Sequence, residues 1–231
     1  MLYGAMANNE AVLIIDVQKA FCDAALYRRA WPDLREGLHW CVGDNKKNAA
    51  AIRDFAATVR GKIPLIWVGY HPYGEGVQGQ WVGEPLSSGP GMFYLAHPAE
   101  GEPVFYKGED SAFSNRALPA FLKAAGMQKI YITGMNLDAC VYDTVKSAWE
   151  DGYDVEVLSD LVSTASLIAE EQDLAIDNMM QGGVPFSRSK ELLARLAADH
   201  SLPKLGGVGN AGEGDFRANV TGLCLRADPQ F

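Results

Sequence analysis

The sequence predicts an α/β protein with a three-layer, Rossmann-like fold, in which helices cover both faces of a largely parallel sheet of about six strands. Two observations lead to this prediction. Short apolar runs recur along the 231 residues, and stretches with helical periodicity separate them. That alternation is typical of parallel sheets buried on both faces, and the length suits a single domain spanning residues 1–231.

The strand predictions depend on apolar runs without polar alternation, which buried parallel strands show because neither face meets water. The runs span residues 11–15, 63–68, 104–106, 130–133, 155–158 and 184–186. Pro185 in the last run has no backbone N–H to donate, so we place this strand at an edge of the sheet.

The helix predictions depend on apolar residues spaced three and four apart. Such patterns cover residues 48–60, 117–125, 139–150, 166–180 and 189–199. In the first pattern Ile52, Phe55 and Val59 share one face, and Gly126 gives the second pattern a C-terminal stop signal.

Two segments do not follow the alternation. Residues 72–103 are rich in glycine and proline, which predicts a long loop over the carboxyl edge of the sheet, where such folds bind ligands. Residues 206–231 have no clear period and predict an irregular C-terminal segment. Because the chain has no internal repeat and no low-complexity linker, we assign both segments to the same domain.

Charge and composition limit the classes of partner. The formal net charge is -9, with 29 acidic and 20 basic residues, which argues against a surface that binds nucleic acid. No apolar run approaches the roughly 18 residues that a membrane helix needs. We therefore expect a small-molecule substrate and further copies of the chain as partners, with no nucleic acid and no membrane.

The four cysteines, Cys22, Cys41, Cys140 and Cys224, are widely spaced and form no C-x-x-C pair. This spacing argues against a zinc knuckle and a thioredoxin motif. No pattern of basic and then apolar residues, typical of a signal peptide, opens the chain, so we expect reduced cysteines in a cytoplasmic protein.

Cys140 lies near the start of the predicted helix 139–150, directly after an apolar run and a glycine-led turn. Helix N-termini present free N–H groups and the positive end of the helix dipole. Because that field lowers the pKa of a thiol, Cys140 is a candidate nucleophile.

Asp16, Lys107 and Cys140 each follow or end a predicted strand, and parallel strands end at the same edge of a sheet. A cysteine nucleophile needs a proton acceptor, a charge that stabilises the thiolate and an oxyanion site. Asp16 can accept the proton, and Lys107 can stabilise the thiolate by its charge. The backbone N–H groups of Asn136 and Cys140 can form the oxyanion site. The residues alone leave open a core cysteine, a helix-capping aspartate and a solvated lysine.

Three motifs together resemble the isochorismatase-like cysteine hydrolase family, which includes nicotinamidases, carbamoylsarcosine amidases and ureidoacrylate amidohydrolases. The resemblance covers about residues 10–190. The motifs are Leu-Ile-Ile-Asp-Val-Gln-Lys-Ala-Phe at 13–21, Lys107 followed by Ser-Ala-Phe at 111–113, and Thr-Gly-Met-Asn-Leu-Asp-Ala-Cys-Val at 133–141.

The resemblance implies a catalytic triad of Asp16, Lys107 and Cys140, a cis peptide bond between Met135 and Asn136, and an oxyanion hole made by the amides of Asn136 and Cys140. It also implies a cofactor-free hydrolase that cleaves a small amide, ureide or carbamoyl compound through a cysteine thioester and releases ammonia or an amine. Relatives of this kind commonly form homodimers or homotetramers.

The sequence departs from the family pattern at several positions. Lys19 and Ala20 stand where many members have Asn-Asp, and Leu137 stands where many have threonine. Nicotinamidases bind a metal through an aspartate and histidines after the second strand, whereas this chain has Gly69 at the aspartate's position and only His71 matching. His97 is the nearest further histidine, and so few ligands predict no metal site.

By resemblance, Phe21 lines the substrate pocket, although plain core packing is an open alternative. Tyr70 and Met135 are further candidates for substrate binding. Two other functions stay open at this point. One is vinyl-ether hydrolysis of the isochorismatase type, which would use Asp16 without the thiol. The other is a catalytically silent binding protein that has kept the pocket.

Overall fold

The computed structural model of the protein describes residues 9–23, 42–70, 93–164 and 169–199. Its strands are β1 (Glu10–Ile15), β2 (Leu65–Tyr70), β3 (Val104–Lys107), β4 (Lys129–Met135), β5 (Asp154–Ser163) and β6 (Phe186–Ser187). Within the described ranges these six strands form one sheet in the order β3-β2-β1-β4-β5-β6, and every neighbouring pair is parallel. The predicted fold class is confirmed, including the edge position of the last strand.

The α-helices are α1 (Lys19–Cys22), α2 (Val42–Val59), α3 (Ala117–Ala124), α4 (Tyr142–Glu150), α5 (Ala169–Gln181) and α6 (Ser189–Asp199). A short 3₁₀ turn occupies Ala112–Ser114, and a π-helical turn occupies Leu137–Val141 directly before α4. The segment 206–231 and residues 72–92 of the predicted loop lie outside the described residues.

Strand β1 explains why the apolar runs are unbroken. Leu13 and Ile15 belong to the core cluster under α3, α4 and α5, whereas Val12 and Ile14 belong to the cluster under α1, α2 and α6. All four side chains are completely buried. Since successive side chains of a strand point to opposite faces and both faces are covered, every position requires an apolar residue.

Helix α2 begins at Val42, well before the predicted start at residue 48. Its first turns bury two polar side chains, Asn45 and Asn48, which contribute nothing to an apolar pattern. Asn48 Nδ2 donates to the carbonyl oxygens of Gly134 and Leu161, at 3.1 Å each, and so fixes α2 to the ends of β4 and β5.

Strand β5 extends to Ser163, beyond the predicted end at residue 158. The pairing of β4 with β5 shifts register between Ile132 and Gly134 and then resumes, with Met135 opposite Ser163. Such an irregularity bends a strand locally and is common next to functional sites. In the described ranges, no helix combines the length and the apolar character needed to cross a membrane.

Candidate active site

Asp16, Lys107 and Cys140 meet at the carboxyl edge of the sheet, after β1, at the end of β3 and after β4. Lys107 Nζ lies 2.8 Å from Asp16 Oδ2, and both side chains are completely buried. The Cys140 thiol lies within hydrogen-bonding reach of the same carboxylate, with only 4% of the residue exposed. One carboxylate therefore contacts both an ammonium and a thiol inside the protein.

The pKa values of Asp16 and Lys107 depend on their burial and on the charges that they present to each other. Burial raises the pKa of Asp16, and the adjacent Lys107 ammonium offsets part of that shift. Burial also favours the neutral form of Lys107, but the Asp16 carboxylate, followed by Cys140, outweighs it and raises the lysine pKa. Lys107 is therefore protonated at neutral pH, and Asp16 is a better proton acceptor than an exposed aspartate.

The Asp16 carboxylate has unused acceptor capacity. Neither of its oxygens makes a hydrogen bond of good geometry with the part of the chain that the structure describes, so its contact with Lys107 is an ion pair. Lys107 Nζ instead donates to the carbonyl oxygen of Glu109 at 3.1 Å and lies 5.2 Å from the centroid of the Tyr70 ring. These contacts fix the ammonium beside the carboxylate.

The backbone presents Asp16 in an uncommon conformation. Its φ is 54°, in the left-handed region that aspartate tolerates better than most residues. Its N–H donates to the carbonyl oxygen of Val68 at 2.9 Å, which holds the end of β1 against β2. On the other side, Gly134 has a φ of 130° and lies opposite Ile15 in the sheet.

Cys140 lies on the π-helical turn between β4 and α4. The Thr144 hydroxyl donates to the carbonyl oxygen of Cys140 at 2.6 Å and accepts from the N–H of Ala112 at 2.9 Å. Thr144 thus connects the turn that carries Cys140 to the segment that follows Lys107. The Cys140 Sγ also lies 3.6 Å from Oδ1 of Asp110, a second carboxylate.

The prediction that the helix N-terminus lowers the pKa of Cys140 is wrong. Burial, and then the negative charge of Asp16, raise the pKa of this thiol well above its ordinary range, and Asp110 adds to the shift. Lys107 acts in the opposite direction but does not compensate. At neutral pH the resting site therefore holds a thiol, not a thiolate, beside a carboxyl group whose pKa is raised.

The family model of the isochorismatase domain matches residues 10–191, which is most of the chain. The chain belongs to the isochorismatase-like hydrolase family. Streptothricin hydrolase of Streptomyces noursei is 28% identical over 160 residues, which are 69% of this chain and 51% of that protein. The chain thus spans about half the length of this curated relative.

Solved structures of the isochorismatase family share the fold. An isochorismatase-like hydrolase from Alkaliphilus metalliredigens superposes with a TM-score of 0.62 at 20% identity, covering 83% of this chain and 99% of that one. YcaC of Escherichia coli, described as an octameric hydrolase of unknown specificity, superposes with a TM-score of 0.53 at 22% identity, covering 83% and 82%. At these identities the likeness establishes the fold alone.

The peptide bond between Met135 and Asn136 is cis, as the family resemblance implies. Asn45 fixes the Asn136 side chain, because Asn45 Nδ2 donates to Asn136 Oδ1 at 2.9 Å. The same Nδ2 also donates to the carbonyl oxygen of Phe21 at 3.0 Å. Ser163 Oγ donates in turn to Asn45 Oδ1 at 2.8 Å. A buried polar chain therefore connects the end of β5 with the turn after β4.

The three predicted substrate-binding residues have different environments. Tyr70 is partly buried, and its ring packs edge-on against Phe21 at 6.4 Å between centroids and next to the Lys107 ammonium. Phe21 is 5% exposed. Met135 is completely buried, and its sulfur lies 3.6 Å from Cys22 Sγ in the core. Tyr70 thus contacts the charged group through the face of its ring.

Three site residues escaped the sequence reasoning: Asp110, Asn45 and Gln18. Gln18 belongs to the first family motif, and its buried side chain donates to the carbonyl oxygen of Tyr70 at 3.1 Å and accepts from the N–H of Tyr70 at 2.7 Å. Asp110 falls between Lys107 and the Ser-Ala-Phe sequence of the second motif, which was its only sequence signal.

Of the two histidines discussed above, only His97 belongs to the described residues. His71 lies outside the described residues. His97 is exposed, and its carbonyl oxygen accepts a hydrogen bond from Arg60 Nη2 at 2.7 Å. Among the residues that the structure describes, no group of three or more histidine, cysteine, aspartate or glutamate side chains has an arrangement that could hold a metal ion.

Proposed function

We propose that this protein hydrolyses a small amide, ureide or carbamoyl compound through a thioester on Cys140, releasing ammonia or an amine. The observation that carries the proposal is the completely buried ion pair of Asp16 and Lys107, 2.8 Å apart, in contact with an almost buried thiol. Membership of a hydrolase family and the likeness to streptothricin hydrolase support hydrolysis as the reaction class.

The first step transfers a proton and forms a bond together. Asp16 accepts the thiol proton while Sγ of Cys140 bonds to the substrate carbonyl carbon, and the carbonyl electrons move to its oxygen. Coupling the two events avoids a free thiolate, which the raised thiol pKa makes costly. The raised pKa of Asp16 favours this transfer because it reduces the pKa difference between the thiol that gives up the proton and the carboxylate that accepts it.

The second half of the reaction reverses the proton's path. The tetrahedral intermediate collapses, the C–N bond breaks, and Asp16 returns its proton to the departing nitrogen. A water molecule then loses a proton to Asp16 and adds to the thioester carbonyl. When the C–S bond breaks, sulfur recovers that proton, which leaves a carboxylic or carbamic acid and the original thiol.

Lys107 balances charge throughout the cycle. With its ammonium fixed beside Asp16, Lys107 favours the ionised carboxylate and offsets part of the effect of burial, so Asp16 can accept the thiol proton. When Asp16 becomes protonated, the ammonium faces the anion that develops on the substrate. A lysine serves here because its charge is held by the Glu109 carbonyl and the Tyr70 ring as well as by the carboxylate.

We assign the oxyanion hole to the backbone amides of Asn136 and Cys140, which belong to the turn that carries the nucleophile. The support is positional: Asn45 fixes the Asn136 side chain, and Thr144 fixes the Cys140 carbonyl. Preorganised donors lower the barrier because they need no rearrangement during the reaction. Phe21 and Tyr70 flank this region as candidate substrate contacts, and Met135 supports it from the core.

The assembly is part of the proposal. We infer a homo-oligomer, a dimer or tetramer by resemblance, and the description of YcaC as an octameric hydrolase supports self-association. Light scattering coupled to gel filtration measures the number of subunits directly, and a monomer at micromolar concentration would contradict this inference without affecting the chemistry.

A screen for ammonia release across small amides, ureas and carbamoyl acids tests the reaction. We expect turnover of at least one compound by the wild-type protein and none by Cys140→Ala or Cys140→Ser. Cys22→Ala is the matched control, because Cys22 is also a buried free cysteine but lies in the core next to Met135, and this variant should retain turnover.

Mass spectrometry of the intact protein separates the alternatives. An acyl adduct on Cys140 during turnover supports the thioester. Turnover that survives complete alkylation of Cys140 by iodoacetamide would contradict the thioester and favour a reaction that uses Asp16 alone. If no compound is turned over and none forms an adduct, the result would favour a binding protein.

A further inference from the structure

We propose that Asp110 sets the charge preference at Cys140, so that the site favours substrates with an ammonium or guanidinium group close to the scissile carbonyl and rejects carboxylates. The claim about substrate selection rests on the proposed function. The claim about the electrostatic preference at Cys140 Sγ rests on the geometry alone.

The first observation is the contact between Asp110 and the thiol. Asp110 Oδ1 lies 3.6 Å from Cys140 Sγ, and Asp110 is exposed, whereas Asp16 is completely buried. A carbonyl carbon bonded to Sγ brings its own substituents within a few ångströms of that exposed carboxylate. At such distances near a protein surface, a positive substituent is attracted and a negative one is repelled.

The segment that carries Asp110 is anchored on both sides. On one side, Lys107 Nζ donates to the carbonyl oxygen of Glu109 at 3.1 Å. On the other side, Ser111 Oγ donates to Ser147 Oγ of α4 at 2.8 Å. Because the carboxylate projects from a fixed turn, it meets every substrate at the same place, as selection by charge requires.

The second observation is the charge of the groove that adjoins Asp110. Asp110 lines a surface groove whose carboxylates come from Glu109, Asp110, Asp143 and Glu150, and among the described residues of that groove the cation is Lys146. Burial and then the Asp110 carboxylate raise the pKa of Asp143, so these groups share one field. The groove therefore presents an excess of negative charge to an approaching molecule.

The third observation is the buried carboxylate of Asp16, on the interior side of Cys140. The completely buried carboxylate of Asp16 faces the same sulfur, and neither of its oxygens has a hydrogen-bond donor of good geometry among the described residues. The sulfur therefore has both a buried and an exposed carboxylate within reach. On the buried side Lys107 compensates the charge of Asp16, so the Asp16 oxygens offer acceptors without a net negative charge. On the exposed side Asp110 attracts an N⁺–H group and repels a carboxylate.

Alkylation measures this preference at the sulfur without any turnover. Iodoacetate and iodoacetamide are of similar size and react with the same thiolate, so the ratio of their rates at Cys140 cancels any change in thiol pKa. We expect wild-type protein to disfavour iodoacetate, and Asp110→Asn to raise the iodoacetate-to-iodoacetamide ratio by about tenfold at low salt. Asp110→Glu, which keeps the charge, should stay within about twofold of wild type.

The control removes one negative charge elsewhere. Asp54 is exposed on α2, on the opposite face of the sheet, and pairs with Arg53 at 2.8 Å. Asp54→Asn should leave the ratio of alkylation rates unchanged. An unchanged ratio in Asp110→Asn, or an equal rise in Asp54→Asn, would overturn the inference.

Substrate selection is tested with a matched series of amides: 3-aminopropanamide, butanamide and succinamate, which end in an ammonium, a methyl group and a carboxylate. We expect kcat/KM to fall in that order, and Asp110→Asn to reduce the ratio of the first to the last by about tenfold. Cys140-dependent turnover with a ratio that Asp110→Asn leaves unchanged would refute the inference and keep the proposed function. A changed alkylation ratio without turnover of any amide, urea or carbamoyl acid in the ammonia-release screen would keep the electrostatic preference and refute the proposed function.

Discussion

Lys107 Nζ lies 2.8 Å from Asp16 Oδ2 at a point where neither side chain meets solvent. The two residues are far apart in the chain and end different strands, so the pair joins β1 and β3 across β2. Buried ion pairs contribute little net stability, but removal of one partner leaves an uncompensated charge in the interior. The pair therefore makes the integrity of the fold depend on the charges of the site.

We predict that Lys107→Met and Asp16→Asn each lower the free energy of unfolding by about 3–5 kcal/mol, because each leaves the other group buried without its counter-ion. The double variant should lose less than the sum of the two single losses, since no unpaired charge remains. Urea unfolding followed by circular dichroism measures all three values.

Lys129→Met is the control for loss of a lysine. Lys129 pairs with Glu156 at 2.7 Å, but both side chains are partly exposed, so its removal should cost only about 1 kcal/mol. Strictly additive losses for the Asp16 and Lys107 variants would contradict the account of the pair.

The raised pKa of the Cys140 thiol predicts an alkaline profile for its alkylation. Only the thiolate reacts, so the rate with iodoacetamide should rise with pH through a midpoint above the ordinary thiol value of 9.0. Asp16→Asn removes the carboxylate that raises this pKa and should move the midpoint to lower pH. Lys107→Met removes the charge that lowers it and should move the midpoint to higher pH.

Peptide mapping after alkylation assigns the reaction to the correct residue. Cys22, whose pKa burial raises to about 12, supplies an internal standard that these variants should not affect. A midpoint near neutral pH in the wild-type protein would show that the resting site holds a thiolate, contrary to the geometry described above.

Asn45 is predicted to position the turn that carries the candidate oxyanion site. Asn45→Ala removes the hydrogen bonds to Asn136 and Phe21 and leaves the Ser163 hydroxyl without its acceptor. We expect a loss of about 2–3 kcal/mol in stability, and a fall in kcat at the temperature where the variant is folded, with a smaller change in KM.

Ser163→Ala provides the matched comparison, because it removes only the outer bond of the same chain and leaves the contact between Asn45 and Asn136 in place. It should keep most of the wild-type kcat. If both variants reduce kcat equally, or if Asn45→Ala changes stability alone, Asn45 is a core residue without a positioning role.

The location of the candidate site could be predicted from the sequence because its ionisable residues stand at the ends of recognisable strands. Asp16 and Lys107 interrupt or end apolar runs, and parallel strands bring such ends to one edge. Asn45 could not be predicted in this way. It is a polar residue in the early turns of α2, and its partner Asn136 is 91 positions away.

The protonation of Cys140 could not be predicted from local pattern either. The helix N-terminus is visible in the sequence, whereas burial and two carboxylates from other segments, which raise the pKa of the thiol, appear only in three dimensions. Asp110 shows the same limit, because an exposed aspartate in a turn is ordinary until its distance of 3.6 Å from the sulfur is known.

Gly134 is predicted to be irreplaceable for the geometry of Asp16. A Cβ at this position would clash with the backbone of Ile15, including its carbonyl oxygen, and the φ of 130° is one that other residues rarely adopt. Since backbone cannot yield as a flexible side chain can, Gly134→Ala should cost more than about 3 kcal/mol in stability and displace the peptide that precedes Asp16. Thermal unfolding and the alkylation profile of Cys140 measure the two effects.

Gly152→Ala separates the clash from the backbone conformation. Gly152 also has a positive φ, 86°, but a Cβ there would meet nothing within 4 Å. Its replacement should therefore cost only about 1 kcal/mol, the penalty of a left-handed conformation, and leave the alkylation of Cys140 unchanged. Equal losses for the two variants would mean that conformation alone requires glycine at position 134, and that the close approach of β1 and β4 is not what sets Asp16 in place.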